Sequence, residues 1–262
     1  MSDGEWITGN VTLRVHGEPL DLQMTVPAFP VKPQRMLPIF HQMTNSFVDA
    51  GVNAVASEGE RLSCRAGCAA CCRHAVPIAE AEVYQIADLV ESMPEPRRSE
   101  VKDRFAKTVA YLRSIGWFEK FMAEHRALGT KPEKTAASDL NNLLMEYFHE
   151  WIDCPFLEDE ACAIYDDRPL ACREYVVTSP AENCSDPSAE TVKRVDLLIQ
   201  PSKTVQKMSA TGRMAGEGTL TLVRALELAA EYPDAYDERT GEEWMREFFT
   251  RLTGAAPHAP TA

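Results

Sequence analysis

Four cysteines within nine residues, Cys64-Arg-Ala-Gly-Cys68-Ala-Ala-Cys71-Cys72, constrain this chain more than any other stretch. A packed core gains little from so many small polarizable side chains at one turn, whereas a metal ion is held by several thiolates aimed at one point. Cys68 and Cys71, two residues apart, turn two sulfurs toward a common point, and Cys64 stands where it can supply a third. The side chains of adjacent residues diverge, so Cys72 either serves a second ion or a cluster edge, or is a buried thiol. Cys154, Cys162, Cys172 and Cys184 form a second block in short, turn-rich pieces far downstream. All eight cysteines are read as metal ligands, with Cys184 the most remote from its neighbours. That reading requires the two blocks to meet in space.

The amino terminus, Met1-Ser-Asp-Gly-Glu-Trp6, lacks the basic and apolar regions of a signal peptide, which leads to the expectation of a cytoplasmic protein. In a reducing cytoplasm clustered thiols are better assigned to metal than to disulfides. The net charge of −13 argues against nucleic-acid binding, and no apolar run is long enough for a membrane span. Arg61, Arg65, Arg73 and His74 surround the first block, where they offset thiolate charge or form a solvated basic loop.

Hydrophobic periodicity supplies the scaffold. Trp6 to Val15 and Leu20 to Val26 alternate on either side of the turn at His16 to Pro19, which predicts a β-hairpin. Pro27, Pro30 and Pro33 make an extended connector. Met36, Phe40, Met43 and Phe47, widened by Val48, Val52 and Val55, predict a helix, and Gly51 weakens its later turns. Further helices follow at Ile78 to Met93, Pro96 to Gly116 and Trp117 to Met122; after a loop at Gly129 to Pro132 another runs from Leu140 to Trp151. Beyond Cys184 a β-prone run, Val192 to Ile199, is ended by Pro201. Gly212 to Gly218 leads into a helix from about Leu220 to Tyr232, without the lysine or the preceding strand of a phosphate-binding loop. Thr240 and Glu243 form a capping-box pattern before Trp244, Met245, Phe248, Phe249 and Leu252, and Gly254 stops that helix.

The second block carries more than spacing. Cys154-Pro-Phe-Leu157 is followed by Cys162-Ala-Ile-Tyr165-Asp-Asp-Arg168-Pro169-Leu-Ala-Cys172-Arg173 and the later Cys184. With the first block, these motifs resemble the YkgJ-like cysteine-cluster family, described as zinc- or iron-chelating, over roughly residues 60 to 185. The resemblance implies zinc or an iron–sulfur cluster, with iron–sulfur slightly favoured. The flagellin lysine methylases, similar through the same cysteine pattern, are linked to a [4Fe-4S] cluster and S-adenosylmethionine, so methyl transfer is one activity the resemblance allows. Tyr165, Arg168 and Arg173 are the cofactor-binding candidates: Tyr165 is expected to bury its ring, and the guanidinium groups to donate to sulfur or to an acidic neighbour. The same residues also serve simply to hold the loop in shape. Glu158, Asp159, Glu160, Asp166 and Asp167 read as proton-transfer groups near a metal or, more commonly, as a solvated charged tip, and His74 as an outside ligand or, more commonly, a residue that backs the ligands or faces solvent.

Zinc and iron–sulfur make different proteins of these residues. Four thiolates close the coordination of zinc and give a structural or protein-interaction module. A cubane with one iron open to substrate gives an enzyme for methyl or electron transfer on a small-molecule or protein substrate. The C-x3-C-x2-C spacing is also that of radical S-adenosylmethionine enzymes, but Ala70 stands where an aromatic is usual there, and the helices do not alternate with strands. The expected fold is mainly α: a helical scaffold around an irregular cysteine-rich centre, with a small N-terminal β-hairpin and a C-terminal αβ extension. In segments this is 1–35, hairpin and connector; 36–185, cysteine-cluster domain; 186–254, extension; and 255–262, disordered tail. Nothing in the sequence fixes the oligomeric state, the number of metal ions or the catalytic residues.

Overall fold

The structure is a computed structural model, and it describes residues 4–15, 17–65, 67–127, 132–188 and 190–254. The expected tail 255–262, His16 of the hairpin turn, and Gly129 to Lys131 of the expected loop lie outside the described residues. The architecture is mainly α, as the periodicity predicts. Two compact units are built from interleaved segments: one from Met1–Cys64, Asp167–Ala210 and Ala235–Ala262, the other from Arg65–Asp166 and Thr211–Asp234.

In the first unit β1 (Trp6–Val15) and β2 (Glu18–Pro27) pair antiparallel, with Val15 opposite Glu18 and Trp6 opposite Pro27. Leu22, Met24 and Val26 are buried and Asp21, Gln23 and Thr25 exposed, so the hairpin turns one face inward, toward α1 (Leu37–Ser57) and α9 (Gly241–Thr253). The proline connector pairs once, Val31 exchanging both backbone hydrogen bonds with Arg239. Phe40 of α1 stacks on Phe248 of α9 at 4.9 Å, and the Trp244 indole N–H donates to the Val31 carbonyl at 2.9 Å. The α9 capping box forms as its sequence predicts: the Glu243 N–H donates to Thr240 Oγ1 and the Thr240 N–H to the Glu243 carboxylate, and Gly254 ends the helix in the left-handed region.

Three details differ from expectation. Gly51 does not weaken α1, which continues to Ser57; a Cβ there would stand 2.7 Å from Leu197 Cδ2, so the glycine marks a close approach. The Val192 to Ile199 run forms a single bridge, Arg194 to Val177, and no strand among the described residues. It lacks a partner ladder, and its Val195 and Leu197 are buried against Val176 instead. Pro201, read as a stop, opens α7 (Pro201–Ser209), because proline is as well suited to the first turn of a helix as to the end of a strand.

His41 is buried on α1 beside Arg168 and Arg173, the latter on α6 (Leu170–Glu174). Burial first, and then the two guanidinium charges, lower its pKa to about 3. The unfolded chain therefore binds a proton between about pH 6.5 and 3 that the folded unit refuses, and stability is lost as pH falls through that window. Acidification from pH 6.5 to 5 should cost about 2 kcal/mol through this residue. Urea unfolding at the two pH values should give a smaller difference in His41→Asn than in the parent chain.

The second unit contains α2 (Glu80–Glu91), α3 (Arg97–Ser114), α4 (Trp117–Ala127), α5 (Glu133–His149) and α8 (Ala225–Glu231). Val109 and Leu112 of α3, Trp117, Phe118 and Phe121 of α4, and Leu143 and Tyr147 of α5 close one core with Val223. Trp117 is its centre, stacked on Phe121 at 4.7 Å with its indole N–H on the Leu143 carbonyl at 3.1 Å. The segment before α2 pairs with the segment before α8: Leu222 N–H donates to the Val76 carbonyl and Ile78 N–H to that of Leu220, both at 2.9 Å. This core fixes the carboxyl end of α5, from which the chain enters the second cysteine block.

Candidate metal centre

In the second unit a 3-10 turn, Ala70–Arg73, carries the end of the first block, with the Cys72 N–H on the Ala69 carbonyl at 2.8 Å. The tight turn brings the Cys72 thiol into hydrogen-bond contact with Cys71, so these neighbours do not diverge as their adjacency suggests. The second block is tied to the first through the backbone: Cys154 N–H donates to the Cys72 carbonyl at 2.8 Å. After Cys154 the chain turns, Leu157 N–H returning to the Cys154 carbonyl at 2.8 Å, and enters a two-stranded hairpin. Its strands, β3 (Leu157–Glu158) and β4 (Ala161–Cys162), pair Leu157 with Cys162. Asp159 and Glu160 form the turn at φ of 49° and 54°, the left-handed pair that a two-residue hairpin requires.

Cys71, Cys72, Cys154 and Cys162 are thereby gathered from both blocks. The Cys72 thiol is pushed well above the ordinary thiol range by its hydrogen bond to Cys71, by burial, and by the neighbouring Cys71, Cys154 and Cys162. Burial pushes Cys154 up to about 12, against the Phe156 N–H that donates to it and with Cys162 and Cys71 adding to the rise. Mutual repulsion of this kind is what a cation removes, and sulfur suits zinc and iron. The side chains are close without being wrapped around a point: among the described residues no three or more His, Cys, Asp or Glu side chains form a ligand set for a metal ion.

The surroundings of the four sulfurs are braced by Arg73. Its guanidinium is buried, with Nη2 2.9 Å from Glu160 Oε1, Nε 2.8 Å from Asp153 Oδ1, and its centre 5.1 Å above the Trp151 ring. One side chain thus joins the 3-10 turn, the residue before Cys154 and the tip of the Cys162 hairpin. Glu158, on the same hairpin, pairs with Arg97 at 3.4 Å and Arg104 at 3.3 Å. The acidic tip expected to be merely solvated is therefore in part a set of ion-pair partners. The signal for this was a basic residue directly after Cys72 and acids flanking Cys154 and Cys162. Behind the thiols stands an aromatic wall from the end of α5: His74 lies 4.8 Å from Phe148, which packs on Trp151, and buried Tyr147 is close enough for Cys154 to help raise its hydroxyl pKa.

The other candidate residues are placed as follows. Cys68 opens the second unit's share of the first block, its N–H on the Arg65 carbonyl at 3.1 Å. Cys64 belongs to the first unit, packed near Val176, Val195 and Leu197, and its sulfur accepts the Val177 N–H at 3.4 Å. Cys172 lies on α6, and Cys184 is buried in a 3-10 turn, Ala181–Ser185, both in the first unit. All eight cysteines carry thiols rather than disulfides. Tyr165 is 51% exposed, so its ring is not buried as expected; it sits at a short 3-10 turn that leaves the side chain on the surface. Arg173 is buried and donates to the Arg168 carbonyl at 3.1 Å and to Asn45 Oδ1 at 3.3 Å, contacts that hold the loop against α1. Arg168 is near enough to His41 to lower its pKa.

Residues 63–192 match the CxxCxxCC family, described as a "putative zinc- or iron-chelating domain". This stretch is a CxxCxxCC domain. The match spans both cysteine blocks and bears out the resemblance to the YkgJ-like cysteine-cluster family. No curated protein and no solved structure matches the chain. Among the described residues no helix is long and apolar enough to cross a membrane. The family's description points to chelation of zinc or iron, and thiol donors suit either metal.

Proposed function

We propose that this chain binds metal through the thiolates of Cys71, Cys72, Cys154 and Cys162, with Cys64, Cys68, Cys172 and Cys184 as the further ligands. The observation that supports it most is the contact of Cys72 with Cys71, in a position where thiols of the downstream block raise its pKa. The metal we favour is iron in an iron–sulfur cluster rather than a lone zinc ion. The preference rests on the resemblance to cluster-linked relatives, because two sulfurs in contact are also compatible with one tetrahedral ion, whose thiolates lie about 3.8 Å apart. When bound, such a cluster supplies electron transfer, or an open iron for S-adenosylmethionine in methyl transfer to a small-molecule or protein substrate. The chain's own residues hold the thiols together, screen them with the α5 aromatics and anchor them through Arg73. Free thiols at this density favour a reducing compartment, so the cytoplasm is the proposed location.

Anaerobic purification with iron, zinc and acid-labile sulfide analysis tests this reading. A brown protein with iron and sulfide supports the cluster, and S-adenosylmethionine should then perturb its spectrum. A colourless protein with zinc and no sulfide removes the electron- and methyl-transfer proposals and leaves a structural zinc module. A protein with no metal after anaerobic reconstitution overturns the reading. Because metal must displace protons held on high-pKa thiols, apparent affinity should fall as pH falls, by about ten-fold per pH unit for each proton released. Competition with a chromophoric chelator between pH 8 and 6 measures that slope, and a flat response contradicts thiol ligation.

A further inference from the structure

A groove of about 660 Å³ in the second unit lies between α2, α3 and α8, apart from the cysteines. Its α3 wall is Lys102, Phe105, Ala106, Val109, Ala110 and Arg113, the spacing that an amphipathic helix ordinarily buries against a neighbour. Phe105 and Val109 of this stripe are buried, while Ala106 and Ala110 are exposed, and the facing alanines, Ala87 on α2 and Ala229 and Ala230 on α8, leave open space beside them. From Lys102 to Arg113 the wall runs about 16 Å at the helical rise.

Size separates the possible occupants. The groove falls within the small-molecule range of about 300–1,000 Å³, and its length and alanine walls suit an extended hydrocarbon chain. Charge marks one end. Lys102 is paired with Glu91 at 2.6 Å, and both side chains are largely exposed, so the pair is weak and a carboxylate can take the place of Glu91. At the other end Glu227, the partner of Arg113, is also held by Arg224 at 2.9 Å, and Arg224 holds Glu217 at 2.6 Å. That network is closed, which leaves Lys102 as the cation for an incoming head group.

We propose that this groove binds one linear anionic amphiphile, a fatty-acid-like chain lying along α3 with its carboxylate on Lys102. Phe105, in the groove wall, packs edge-on against Phe156 at 5.4 Å, and the Phe156 N–H donates to Cys154. Occupancy therefore bears on the turn that positions Cys154. The binding itself is independent of whether a metal is present.

Fluorescence titration of the full-length protein with dansylundecanoic acid, and with its uncharged methyl ester, tests the proposal below the micellar range of either probe. The expected result is saturable binding of one acid per chain. Lys102→Ala should weaken the acid about five-fold and leave the ester unchanged. Ala106→Trp and Ala110→Phe should each abolish binding by filling the groove, while circular dichroism shows the fold retained in at least one of them. Equal affinity of acid and ester in the parent chain, non-saturating uptake, or unchanged binding in a folded groove-filling variant would overturn it.

Discussion

Cys72→Ser should leave the purified protein without its metal. Cys72 is the point where the two blocks meet: its thiol touches Cys71, its carbonyl accepts the Cys154 N–H, and the Cys154 and Cys162 thiols act on it from the downstream block. Serine keeps the size and the backbone bond but provides no soft ligand at neutral pH. The expected loss is at least ten-fold in bound metal per chain by elemental analysis, together with a lower unfolding temperature, because thiolate–metal binding energy is also folding energy. Cys154→Ser should behave alike. Cys68→Ala and Cys172→Ala are expected to lose metal as well, whereas Cys184→Ala, in a buried turn, should be milder. Full metal retention in Cys72→Ser and Cys154→Ser would contradict the ligand assignment.

Arg73→Ala should weaken metal binding more than any other change outside the cysteines. Removing one partner of a fully buried ion pair costs about 3–5 kcal/mol. Here Asp153 and Glu160 are 60% and 66% exposed and rehydrate once released, so the expected cost is smaller, about 1–2 kcal/mol. The functional consequence is larger than that figure, because the same guanidinium holds the Cys162 hairpin and the approach to Cys154. Metal should be bound several-fold more weakly and exchange faster in Arg73→Ala, with Arg73→Lys intermediate because it keeps the charge and loses the fork. A chelator-competition assay reads the change. Parent-like metal exchange in Arg73→Ala would show that the brace is dispensable.

Much of this was legible in the residues themselves. Thr240, Glu243 and Gly254 announce both ends of α9, and the alternation of Leu22, Met24 and Val26 announces the hairpin face. These signals are local, so they survive without knowledge of the rest of the fold. The pairing of cysteines from two distant blocks was legible as chemistry, since no other use of such spacing is common. What was hidden depends on partners far away in the chain. Arg73 and Glu160 meet only after four helices have brought the hairpin back, and neither carries a pattern that names the other. Pro201 has the same local appearance whether it stops a strand or starts a helix. The groove along α3 is invisible for a related reason: alanines look like ordinary helix formers until it is seen that they line facing walls.

The single backbone hydrogen bond from Cys154 to the Cys72 carbonyl has a kinetic meaning. Between those two residues lies most of a folded unit, and an ion arriving at a flexible chain would have to wait for that whole span to close. The helices between them pack into a core around Trp117 that includes none of the eight cysteines, so closing that span draws on apolar burial and not on the ion alone. Stripped protein should then keep helical circular dichroism from this core, and refill faster than a chain unfolded in denaturant and diluted into the same metal.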